Sequence, residues 1–215
     1  MKGLVGFSLW TMALLAVGVA VQSMRYELVP MNIWLGVDSA IRGVIERVPL
    51  PMLTHAIVAP FALLLGPFQF FPGLRARHPG VHRWMGRIYV VAVLIGGSAA
   101  LATAPFASGG PVAAIGFGTL ALAWLGVTFA AWRAAVARRL ERHRTLMRFS
   151  YAMTFAAVTL RLQIPFGFAL FHFASYRDMS VWLAYTSWLP NVAAVALYSL
   201  VASVRRQLKP AAATA

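Results

Sequence analysis

A chain whose apolar residues arrive in runs of about twenty has few folds open to it. Here the run PMLTHAIVAPFALLLGPFQFF passes into a basic turn, PGLRARHPGVHR, and then into a second run, WMGRIYVVAVLIGGSAA. A helix rises about 1.5 Å per residue, so ~20 apolar residues cross the roughly 30 Å hydrocarbon layer of a bilayer. The chain is therefore expected to cross a membrane, turn in a basic loop and cross back.

The same reading extends to the whole sequence. Apolar spans are expected at about 4–21, 51–72, 85–105, 112–132, 147–172 and 181–203, forming one transmembrane domain over residues 1–215. The fold class is all-α, a polytopic membrane helix bundle of about six transmembrane helices. Pro105 with Gly109 and Gly110 marks one tight turn, RAAVARRLERHR a second basic loop, and FASYRDMS a further turn. The first run follows Met1 and Lys2 and ends in small residues near Ala20, which also fits a cleaved signal peptide. A retained span is preferred, because an even number of spans agrees with the charge distribution below.

Residues 31–48 differ. Ile33, Trp34, Val37, Ile41, Val44, Ile45 and Val48 recur at helical spacing, while Asp38, Arg42 and Glu46 follow one another at i, i+4. This is the pattern of an amphipathic interfacial helix in the first outer loop, read as a connector in preference to a lid. The tail at about 207–215 is low in complexity and expected to be disordered.

Composition supports the membrane reading. The chain is 60% hydrophobic and 11% charged, against about 25% charged in a soluble domain. It has no cysteine, so disulfides, thiolate ligands and thiol nucleophiles are excluded. A net charge of +14 would suit nucleic acid if it formed a patch, but the basic residues sit in short clusters between apolar runs, as topology signals do. Lys2, Arg75, Arg77, Arg83, Arg87, Arg133, Arg138, Arg139, Arg142, Arg144, Arg148, Arg205, Arg206 and Lys209 fall on one side. Arg25, Arg42, Arg47 and Arg177 fall on the other. Fourteen against four places both termini in the cytoplasm. The expected surroundings are the lipid bilayer, with anionic lipids at the cytoplasmic face and a membrane protein partner, and no nucleic acid.

The chain also echoes itself. HRWMGRIY opens the third span and HRTLMRFSY the fifth, each after a basic turn, so spans two and three and spans four and five read as two hairpins of similar design. Paired hairpins commonly build a four-helix bundle with a site in its core.

These residues carry a resemblance. His55, the Gly-Pro-x-Gln of Gly66 to Gln69, and the His-Arg-x-x-Gly-x-x-Tyr of His82, Arg83, Gly86 and Tyr89 form its first half. His143, Arg144, Met147, Arg161 and the Trp-x-x-Asn of Trp188 and Asn191 form the second. Over roughly residues 50 to 200 the chain resembles a bacterial family of six-to-seven-span membrane proteins catalogued as domain of unknown function 2306. The resemblance implies the fold and a bacterial cytoplasmic (inner) membrane location. It brings no activity with it.

The polar residues inside the spans are the candidate site. An arginine in a span costs at least ~2.5–3.5 kcal/mol and normally faces protein or water with a partner. No span contains Asp or Glu. The partner of Arg161 must then be backbone carbonyls, an outer-loop acid such as Asp38 or Glu46, or a bound molecule. Pro165 removes the helical partner of the Arg161 carbonyl, and Pro190 opens the backbone near Trp188 and Asn191. His55 is expected about one turn inside the outer face, with Gln69 ~21 Å further in and His143 and His172 ~43 Å apart at opposite interfaces. The ligand-binding candidates are His55, Gln69, Arg161, Gln163, Trp188 and Asn191. The inner-face candidates are His82, Arg83, Tyr89, His143 and Arg144. No catalytic residue is assigned.

Two classes of function follow. One is a redox protein whose polar site holds haem b or a quinone, with His55, His82 and His143 as metal ligands only in the haem case. The other is a non-enzymatic binding, transport or assembly subunit whose polar residues lock helices. Zinc-protease, phosphate-loop and serine-hydrolase motifs are absent.

Overall fold

The computed structural model describes residues 9–21 and 39–208. Residues 4–8 of the first expected span, 31–38 of the expected interfacial helix and the tail beyond Leu208 lie outside them. No strand occurs among the described residues. Among the described residues, five helical segments are long and apolar enough to cross a membrane: Pro49–Phe70, Pro79–Phe106, Gly110–Val136, Leu140–Leu170 and Tyr176–Arg205. A shorter apolar helix, Leu9–Val21, accompanies them. The architecture is a polytopic helical bundle.

In chain order, α1 is Leu9–Val21 and α2 is Ser39–Arg47. The first hairpin pairs α3 (Pro49–Leu65) with α5 (Pro79–Thr103) through a 3-10 turn, Pro67–Phe70, and the short basic α4, Pro72–Arg77. Prolines at the first positions of α3, α4 and α5 start each helix without wasting an N–H that has no partner there. The second hairpin pairs α6 (Gly110–Val136) with α7 (Leu140–Thr154) across the other basic turn. α8 is Ala156–Leu170, α9 Tyr176–Thr186 and α10 Leu189–Gln207.

Small residues bring these helices together. A Cβ on Gly96 of α5 would sit 3.3 Å from the Ala59 nitrogen of α3, and one on Gly116 of α6 would sit 2.7 Å from the Ala184 Cβ of α9. Close backbone approach at small residues is how lipid-embedded helices gain contact without a hydrophobic drive between them. Gly97 instead makes room for the Leu125 side chain, and Gly118 lies more loosely against Ala104. α1 packs Ala16, Val19 and Ala20 against Leu63 and Val158, and Trp10 meets Phe71 edge-on at the basic end.

The fifth and sixth expected spans are each divided in two. α7 gives way to α8 at Phe155, ten residues before Pro165, and α8 runs through that proline. The Thr154 hydroxyl donates to the Ser150 carbonyl at 3.0 Å, the kind of side-chain intrusion that bends a helix. The second division, at Ser187 and Trp188, precedes Pro190 and has the ordinary proline cause.

Candidate functional site

The hairpin halves enclose a cavity of about 840 Å³, inside the range that holds small-molecule ligands. Its walls come from α2, α3, α5, α6, α7, α8 and α9, and most of its lining is apolar. Polar groups reach it at few points. Those that bear on its chemistry are His55, Trp124, Thr154, Arg161 and Ser187.

His55 is placed by α3. Its Nδ1 lies 2.9 Å from the Gly96 carbonyl, reachable because α3 and α5 nearly touch one turn away at Ala59 and Gly96. A carbonyl accepts and never donates, so Nδ1 carries the proton and the neutral ring leaves Nε2 as an acceptor. Arg161 lines the same cavity from α8. Its Nη1 donates to the Ala157 carbonyl one turn back at 3.0 Å, so a backbone carbonyl is one partner of this cation. Its charge is near enough to act on His55. Thus two of the polar residues that stand out within the apolar runs line one space, one an acceptor and the other a cationic donor.

Other residues expected at the site are engaged elsewhere. Gln163 and Thr186 bond to each other between α8 and α9. Trp188 donates its indole N–H to the Ala184 carbonyl at 2.8 Å. Asn191 Nδ2 donates to the Ser187 carbonyl at 3.1 Å and the Ala152 carbonyl at 3.3 Å, while the Thr159 hydroxyl donates to Asn191 Oδ1 at 3.2 Å. These bonds join the divided helices α7–α8 and α9–α10 where backbone groups have lost helical partners. Gln69 lies at the basic end, where a Cβ on Gly86 would be 3.5 Å from its Oε1.

The inner-face candidates also separate. His143 Nδ1 lies 2.9 Å from the Ala131 carbonyl, tying the first turn of α7 to α6. His82 is close enough to Arg75, His143 and Arg83 for their charges to act on it. Arg83 is exposed, and Arg144 pairs with Glu141 in an exposed ion pair. Tyr89 is fully buried. Its hydroxyl is 2.7 Å from Ser150 Oγ and 2.8 Å from Thr154 Oγ1. Trp124 Nε1 donates to Thr154 at 2.9 Å, and the Thr128 hydroxyl is 2.6 Å from Ser150 Oγ. This hydroxyl network forms the floor of the cavity, since Trp124 and Thr154 line it. His172 is exposed in the turn between α8 and α9 with φ +52°. Among the described residues no cluster of three or more His, Asp or Glu is arranged for a metal ion.

Ser187 escaped the sequence reading. It is completely buried, lines the cavity, and its Oγ has no hydrogen-bond partner among the described residues. A signal existed in its position three residues before Pro190, where backbone is freed.

Residues 52–199 match the sequence profile of a family described as Predicted membrane protein (DUF2306). The chain belongs to the DUF2306 family. No curated protein and no solved structure matches the chain. The matched region includes both hairpins, α8, α9 and most of α10, and with them His55, Arg161 and Ser187.

Proposed function

We propose that this DUF2306 protein binds a lipid-soluble molecule with a carbonyl-bearing head, a quinone being the redox-active member of that class. The observation that carries the reading is the meeting of His55 and Arg161 in one largely apolar cavity of about 840 Å³. A carbonyl oxygen needs a donor, which the Arg161 guanidinium supplies. A ligand hydroxyl needs an acceptor, which His55 Nε2 supplies. Ser187 adds a buried hydroxyl with unspent capacity. Haem b finds less support, because His55 is the one histidine lining the cavity and a six-coordinate haem takes two axial ligands. The bundle is read as lying in the bacterial cytoplasmic membrane with its basic end inward, so the cavity occupies the outer half.

The test uses the purified protein in detergent. Titration with a short-chain benzoquinone is expected to quench tryptophan fluorescence saturably, since Trp124 lines the cavity. Arg161→Leu is expected to weaken binding ~10-fold or more, as loss of a hydrogen bond to a charged group costs about 1.5–3 kcal/mol, and His55→Leu ~2- to 10-fold, as loss of a neutral one costs about 0.5–1.5 kcal/mol. Unchanged quenching in both folded variants would refute the assignment and favour a structural, non-enzymatic membrane subunit. A Soret band that depends on His55 would replace quinone by haem.

A further inference from the structure

A second set of unspent polar groups lies at the basic end, away from the cavity. Gln69 is 8% exposed, yet its Nε2 has no hydrogen-bond partner among the described residues. His82 Nδ1 is likewise buried and unpartnered. The two groups share a place. Gln69 lies against Gly86, one turn along α5 from His82 on the same helical face. A Cβ on Gly86 would meet the carboxamide oxygen at ordinary van der Waals distance, so Gly86 marks how closely Gln69 approaches this face of α5.

The surroundings are cationic. Residues 67–89 hold Arg75, Arg77, Arg83 and Arg87 and no acid, and Arg75 and Arg83 act on His82. Glu141, the acid of the neighbouring basic turn, is paired with Arg144. A buried donor left unpaired is costly, so Gln69 Nε2 calls for an acceptor. The donors here are an amide and guanidinium groups, joined by an imidazole whose Nδ1 donates when that nitrogen carries the proton, a set suited to an anion that only accepts. Arginine recognises phosphate oxygens through paired N–H bonds. Trp84 is 64% exposed beside His82 with Arg87 over its ring at 5.5 Å, a pairing typical of the headgroup level of a membrane.

We propose that the basic end of the α3–α5 hairpin is a binding site for a phosphate-bearing anion, held by Gln69, His82, Arg75 and Arg83. The phosphate comes either from a lipid headgroup or from a soluble ligand, and the site is independent of the His55–Arg161 cavity.

The test compares both sources. Detergent-solubilised protein is titrated with inorganic phosphate by calorimetry. In parallel it is exchanged into vesicles of phosphatidylcholine with or without phosphatidylglycerol, and retained lipids are counted by native mass spectrometry. Wild type is expected to respond to at least one source. Response to phosphatidylglycerol alone assigns a headgroup site, and response to inorganic phosphate assigns a soluble phosphate ligand. Gln69→Glu, nearly isosteric but anionic, and Arg83→Gln are each expected to weaken the response ~10-fold, with Arg177→Gln at the other end unchanged. If Gln69→Glu does not fold, the exposed Arg83 decides. No wild-type response to either source, or a folded Arg83→Gln that binds as wild type, overturns the proposal.

Discussion

Gln163 and Thr186 hold each other twice. Gln163 Nε2 donates to the Thr186 carbonyl at 3.1 Å, and the Thr186 hydroxyl donates to Gln163 Oε1 at 3.0 Å. The carbonyl is available because residue 190 is proline and offers no N–H four residues on. A helix interruption in α9–α10 is thus repaired by a side chain from α8. Asn191 repairs the Ala152 carbonyl of α7 in the same way.

Gln163→Leu is therefore expected to destabilise the bundle even though it adds apolar surface in lipid. It leaves the Thr186 carbonyl without this donor. Hydrogen bonds between membrane helices average ~0.6 kcal/mol and reach ~1.7, and the double bond belongs near the upper figure. The thermal midpoint in detergent should fall for Gln163→Leu and fall less for Thr186→Val, which keeps the bond to the carbonyl. Equal midpoints for Gln163→Leu and wild type would contradict the repair.

Gly66 supports a second expectation. A Cβ there would overlap the Tyr151 ring, which lies across α3 with its hydroxyl directed at the Leu63 carbonyl, 3.4 Å away. Gly66→Ala should cost about 1–3 kcal/mol, the usual range for overpacking. Tyr151→Ala should cost as much or more alone, by opening a void. The double variant should be more stable than the sum of the two losses, because the clash is gone. Strict additivity in a double-mutant cycle would argue against this contact.

Five of the expected spans were legible because their length and lack of charge leave one solution in lipid, while the first lies partly outside the described residues. The division at Phe155 was not legible: a hydroxyl turns back on its own helix at Thr154, just before it, while the visible proline at 165 leaves α8 unbroken. His55 and Arg161 stood out as polar groups in apolar runs, but their meeting depends on the Gly96–Ala59 approach, a tertiary fact. Gln163 and Asn191 stood out for the same reason, and their polar atoms instead bond groups freed along α7 to α10. Composition does not distinguish a side chain that serves a ligand from one that serves a broken backbone. Ser187 and the partners of Tyr89 were hidden for a simpler reason: serines and threonines are common in spans, and which ones face each other follows from helix rotation.

The Tyr89 hydroxyl network gives a third prediction. Tyr89→Phe removes one hydroxyl but leaves Ser150 and Thr154 with Thr128 and Trp124 as partners. Its cost should be about 0.5–1.5 kcal/mol. Ser150→Ala should cost a similar amount, and the pair should show coupling of at least ~0.5 kcal/mol, as groups in one network do. Chemical unfolding of the four proteins of the cycle measures it. A coupling near zero would mean that the two hydroxyls do not share a bond.

Steric blockade of the cavity gives the last prediction and separates ligand binding from polar packing. Ala100 lines the cavity from α5 and is only partly buried, so a larger side chain there can grow into empty space. Ala100→Phe leaves the His55–Gly96 and Arg161–Ala157 bonds untouched. If the cavity is a ligand site, benzoquinone affinity should fall ~10-fold or more, because the displaced head loses its bonds to Arg161 and His55. Stability should hold or rise, since filling a void is favourable at about 25 cal/mol for each Å² of apolar surface covered. If His55 and Arg161 serve packing alone, the same variant should leave quinone quenching as it was. The quinone readout, taken with stability that shows the variant folded, distinguishes a pocket from a flaw in packing without altering either polar residue.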